Sequence, residues 1–133
     1  MTNICTSQEQ SKKLIELGID VNTADMMWDD WSLIDEGWKL SVGYYPEIEK
    51  DYGRKCYPAW SLTALLELMP FQIIEDNKRY GFKQYKGYNS QGETYCFEYV
   101  SNIGTTLYET YHLNNPIDAA FEMVCWLLEN KKI

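Results

Sequence analysis

No stretch of this chain approaches the ~20 consecutive apolar residues that cross a bilayer as a helix. Its start, MTNICTSQEQSKK, has neither the basic opening nor the apolar run of a secretory signal. Cysteine is sparse and dispersed: Cys5, Cys56, Cys96 and Cys125 lie 51, 40 and 29 residues apart, so no CxxC or CxxH clip exists. Histidine occurs once, at His112, and no motif ties a serine or cysteine to it, so no nucleophile–base pair can be argued. The eight glycines are scattered at turns and form no phosphate-cradling loop. Asp25, Asp29 and Asp30 do not follow the alternating pattern of a calcium loop. These absences indicate no catalytic residue, no cofactor, no metal ligand and no membrane contact. With no export signal, the cysteines are expected to be reduced, buried thiols of a cytoplasmic protein that is not an enzyme.

What is present is apolar and acidic. Of 133 residues, 45% are hydrophobic and 15% aromatic, which is too rich for a disordered chain and sufficient for one domain. The net charge of −8 is unevenly spread. Residues 16–36 hold seven acids and no base, whereas 77–88 hold Lys78, Arg79, Lys83 and Lys86 and no acid. As a whole such a chain is repelled by phosphate backbones and anionic membranes.

Periodicity predicts an α+β fold: a three- to four-stranded antiparallel meander packed against N- and C-terminal helices in a single domain, 1–133. The last helix is marked by Asn115 as N-cap, Pro116 at its first position and an apolar stripe through Ile117, Ala120, Phe121, Val124, Leu127 and Leu128. A first helix is expected from about Ser7 to Leu17, opened by a capping box of Thr6 and Glu9, and a short one follows Ser61 and stops at Pro70. Between them the turns NSQG (89–92) and SNIG (101–104) mark strands near 79–88, 93–100 and 105–113. A plain first turn pairs Phe82 with Tyr99, Lys83 with Glu98 and Tyr88 with Glu93. One face then collects Tyr80, Phe82, Tyr88, Tyr95, Phe97, Tyr99, Tyr108 and His112, and the helices are assigned to cover it. WKLSVGYY offers a possible fourth strand, and 45–60 reads as a long loop.

Three surfaces are candidates for function. Trp28 and Trp31 stand among Asp29 and Asp30, the composition of a recognition patch for a basic partner. The same acids could instead mimic a phosphate backbone. Trp126 falls on the helix face opposite Ile117, flanked by Met123, where either the N-terminal helix or the 45–60 loop covers it or a second copy docks to form a homodimer. Finally, KRYGFKQY (78–85) matches six of eight positions of an RNA-recognition strand, which makes Tyr80, Phe82, Lys83, Tyr85 and Lys86 an alternative nucleic-acid surface. Arg79 and Lys83 break that pattern, and the aromatic wall of a core is the reading preferred over nucleic acid.

In PAWSLTALLELMP (58–70) and NNPIDAAFEMVCWLLEN (114–130) the chain resembles small uncharacterised proteins of phages and mobile elements of gut Bacteroidetes. The resemblance runs from the first helix to the C-terminus and rests on caps, stops and apolar stripes. It implies a genomic setting and no activity. The expectation is an accessory protein that acts by binding a host or phage protein.

Overall fold

Alternating side chains and a tight turn build the longest element pair. In the computed structural model, which describes residues 4–31 and 37–133, β5 (Lys78–Asn89) and β6 (Gly92–Val100) form an antiparallel hairpin with Phe82 opposite Tyr99, Lys83 opposite Glu98 and Tyr88 opposite Glu93. This is the register expected from the cross-strand pairs. The chain is α+β, with four helices and two antiparallel sheets among the described residues. It divides into two compact units, 1–64 and 65–133.

The first unit contains α1 (Gln8–Glu16), β1 (Met26–Asp30), β2 (Trp38–Val42), α2 (Glu47–Tyr52) and β3 (Cys56–Ala59), with strand order β2-β1-β3. The possible strand at 38–44 is therefore real but pairs with β1, not with the meander. The expected 45–60 loop instead folds as α2 and β3. Helix α1 packs on β3. Its capping box is Ser7 with Gln10, one residue later than expected, because Thr6 is already engaged. Thr6 is fully buried: its hydroxyl lies 2.9 Å from Ser11 Oγ and accepts from Trp60 N, and its carbonyl accepts the Trp28 indole at 3.0 Å.

The second unit holds the four-stranded sheet, order β4-β5-β6-β7, where β4 is Gln72–Glu75 and β7 is Thr106–Glu109. Strand β4 was not anticipated. It joins β5 through Asp76 and Asn77, both with positive φ (51° and 63°), the paired left-handed residues of a type I′ hairpin. The last expected strand stops at Glu109 instead of 113. Thr110 leaves the ladder but satisfies Phe97 on both sides, donating its N–H to the Phe97 carbonyl and accepting the Phe97 N–H on Oγ1. Helix α3 (Leu62–Leu68) spans the boundary between the units, and α4 (Pro116–Glu129), capped by Asn115 as expected, packs on β6.

The aromatic wall lies on the α4 side of this sheet. Tyr80, Phe97 and Tyr99 are buried, and half-buried Phe82 lies 5.9 Å from Phe97 and 5.6 Å from Tyr99, centroid to centroid. Helix α4 is buried on more than its expected stripe, since Ala119, Met123 and Cys125 are also enclosed.

Removing the Phe97 ring leaves a void between sheet and helix, so Phe97→Ala is expected to lower unfolding free energy by about 3–5 kcal/mol in urea titrations. Burial, followed by the nearby Glu122 carboxylate, pushes the Tyr108 hydroxyl up to about 12. A raised pKa means the unfolded chain ionises first. The stability this group contributes is therefore complete below about pH 10 and is lost as pH rises through about 12. Phenolate absorbance and circular dichroism, followed together up the alkaline limb, should show late tyrosine ionisation coinciding with loss of structure.

Candidate functional sites on the two sheets

Strand β1 alternates inward and outward, and this alternation separates the first candidate patch into parts. Asp29 faces inward, 2% exposed, and is held by Arg54 through two bonds, Nε to Oδ1 and Nη2 to Oδ2, each 3.1 Å. The Trp31 indole N–H donates to the same carboxylate at 3.0 Å, and the Arg54 guanidinium lies 4.3 Å from the Trp31 ring centroid and 5.3 Å from that of Tyr52. Asp29 is thus a buried, charge-paired strut and not an open acid. Asp25 is also engaged, since its carboxylate accepts Ser61 N at 2.8 Å and the Ser61 hydroxyl. Neither of these two acids is open to a basic partner, because each is engaged by a residue distant in sequence. Trp28 and Trp31 are half-buried, and Asp30 is also half-buried and partnered. Asp35 and Glu36 lie outside the described residues.

The Trp126 candidate also changes character. Within its own unit the ring is covered by Tyr108 of β7, which stacks on it at 4.6 Å and 11°, because β7 flanks the strand on which α4 packs. Met123 is 0% exposed and belongs to the core, so it offers no surface to a partner.

In the 78–88 strand, Tyr80 is buried and Phe82 stacks internally, which removes two of the aromatics that base stacking would need. Lys83 and Lys86 are exposed, Lys86 lying 5.5 Å from the Tyr95 ring centroid, and Tyr85 is 39% exposed. Lys78, Arg79 and Lys83 line a groove of about 880 Å³ with Gly81, Val100 and Ile103, in which Arg79, Gly81 and Lys83 belong to the face turned away from α4. At Gly81 an added Cβ would meet only the Val100 carbonyl oxygen, at 3.9 Å, so the middle of the groove is open. No acid is among the lining residues, and none of the three cations is ion-paired among the described residues.

Farther along the same face, the fold assembles a set of side chains that sequence spacing kept apart. Cys96, Glu109 and His112 bring a thiol, a carboxylate and an imidazole within 4.8 Å of one another. His112 Nε2 is 3.2 Å from Glu109 Oε1, and Tyr85 Oη donates to Glu109 Oε2 at 3.5 Å. Burial, followed by a hydrogen bond to Glu98, raises the Tyr85 hydroxyl above its usual range. Burial likewise raises the Cys96 thiol. Strict alternation puts His112 on the α4 side. The departure of the chain from the ladder after Glu109, with Leu113 and not His112 opposite Tyr95, returns it beside Glu109.

No family model matches the chain, and it matches no curated protein and no solved structure.

A double-mutant cycle tests the buried pair. Arg54→Ala alone strands the Asp29 carboxylate and should lower the urea midpoint. Combining it with Asp29→Asn should cost less than the sum of the two single changes.

Proposed function

We propose that this chain is an accessory binding protein whose second unit takes an acidic segment of a partner protein in the groove beside Gly81. The observation that carries the reading is the run of three cations, Lys78, Arg79 and Lys83, that make no ion pair among the described residues and line a groove without an acid in a protein of net charge −8. A local basic strip in an acidic chain steers an acidic ligand to one place, while the rest of the surface repels it. Apolar contact is available at the same place. Ile103, in the groove wall, is 80% exposed, and Ile74, directly opposite Arg79 on β4, is 60% exposed. These side chains suit a segment that mixes acids with aliphatic residues.

A nucleic-acid ligand is less well served, since Tyr80 and Phe82 face the core and the overall charge opposes phosphate. Four free, buried cysteines are compatible with a cytoplasmic setting. The phage or mobile-element context implied by the sequence resemblance would make the partner a host or phage protein.

Fluorescence anisotropy of the full chain with a labelled peptide alternating glutamate and leucine tests this. The peptide should bind with an affinity that falls as salt rises, and Arg79→Glu with Lys83→Glu should weaken it at least about tenfold. A lysine–leucine peptide should not bind. Tighter binding of a single-stranded RNA oligonucleotide, or no loss in the charge-reversed variant, would overturn the reading.

A further inference from the structure

The donors gathered around Cys96 are of three chemical kinds, and their arrangement is that of a coordination site. We propose that Cys96, Glu109 and His112 bind a divalent metal ion, with zinc the ion the set suits. A thiolate, an imidazole and a carboxylate together match zinc's borderline softness, whereas magnesium and calcium take oxygen donors alone.

Geometry supports this first. Around a tetrahedral zinc with bonds of 2.0–2.3 Å, neighbouring ligand atoms stand about 3.3–3.6 Å apart. Glu109 Oε1 and His112 Nε2 are already 3.2 Å apart, and no pair in the set exceeds 4.8 Å. Closing the set requires movement of about 1 Å. The exposed members are at the rim: the side chains of His112 and Glu109 are 55% and 38% exposed. Cys96, 1% exposed on an inner strand, is a fixed floor. An ion can therefore enter from solvent and meet the sulfur last, and its fourth position faces water.

Charge supports it independently. Glu98 is 7% exposed and sits directly opposite Glu109 on the neighbouring strand. Two carboxylates in that relation repel each other. Lys83, opposite Glu98 on the other side, makes no ion pair with it among the described residues. A dication between Cys96 and Glu109 would offset that repulsion, and the Tyr85 hydroxyl, which donates to Glu109 at 3.5 Å with Glu98 beside it, would orient the carboxylates from outside the coordination shell. On binding, the Cys96 thiol gives its proton to solvent and becomes the thiolate ligand. The imidazole coordinates through Nε2 with its proton on Nδ1.

The test uses the full chain, reduced and treated with chelator, titrated with cobalt(II) and zinc(II). Cobalt should bind one-to-one, give a thiolate-to-metal charge-transfer band and be displaced by zinc, and zinc should raise the melting temperature. Magnesium should do neither. Cys96→Ser should abolish the charge-transfer band, while Cys5→Ser, in the first unit, should leave it intact. Because Cys96 is buried and its replacement can unfold the chain, His112→Ala supplies the second arm. The exposed imidazole can be removed without disturbing the core, and zinc affinity should fall at least about tenfold. Absence of the charge-transfer band in the wild type, or zinc affinity unchanged by His112→Ala, overturns the proposal.

Discussion

Because β6 lies between β5 and β7 with Cys96, Phe97, Glu98 and Tyr99 buried in succession, every polar group on it must be answered from within the fold. The answers come from both faces. On the α4 side, the Tyr99 hydroxyl donates to the Pro70 carbonyl at 2.7 Å. At the edge, Thr110 stands in for a ladder residue by exchanging bonds with Phe97 after β7 has ended. On the opposite side, Glu98 is met by Tyr85, and the Cys96 thiol by the Thr110 carbonyl at 3.5 Å. The side-chain cluster around Cys96 is thus a consequence of enclosing a strand whose alternation is polar on one side.

The first unit solves the same problem with short polar residues. Thr6 engages Ser11, Trp60 and Trp28, Asp25 fixes Ser61, and Ser61 in turn caps α3 by accepting Ala64 N at 3.2 Å. Each of these links joins residues remote in sequence or ends a helix, so the unit is tied where its strands and helices meet. The Asp29–Arg54–Trp31 group does the same at the end of β1, with the indole and the guanidinium screening the carboxylate from water.

How much of this was legible depended on the range of the interaction. The hairpin of β5 and β6 was readable because both partners flank one turn, and α4 because Asn115 and Pro116 are local signals. Strand β4 was missed since only four residues carry it and its turn, Asp76-Asn77, lacks the glycine that usually marks such a hairpin. Strand β3 was hidden by Pro58, which argues against a strand except where the missing N–H is not needed. The pairing of Asp29 was unreadable because its partner lies 25 residues away. His112 was assigned to the wrong side because the chain leaves the ladder after Glu109 and rejoins it only at Leu113, which undoes strict alternation. Such irregularities are where a fold brings distant chemistry together, and they leave little trace in residue spacing.

The unequal lengths of β4 and β5 have a further consequence for association. Strand β4 pairs with β5 only from Lys78 to Gly81, so the outer rim of β5 beyond Phe82 carries no neighbouring strand among the described residues. A bare rim of that kind invites another chain to add itself by backbone pairing. Lys83 and Lys86 are exposed on this segment, and a second copy aligned there would bring its own lysines alongside. Like charges brought face to face in this way repel, so Lys83 and Lys86 disfavour self-templated stacking. A variant that neutralises these lysines without reversing them exchanges that protection for an adhesive border, and its solubility would then be set by the strand rim.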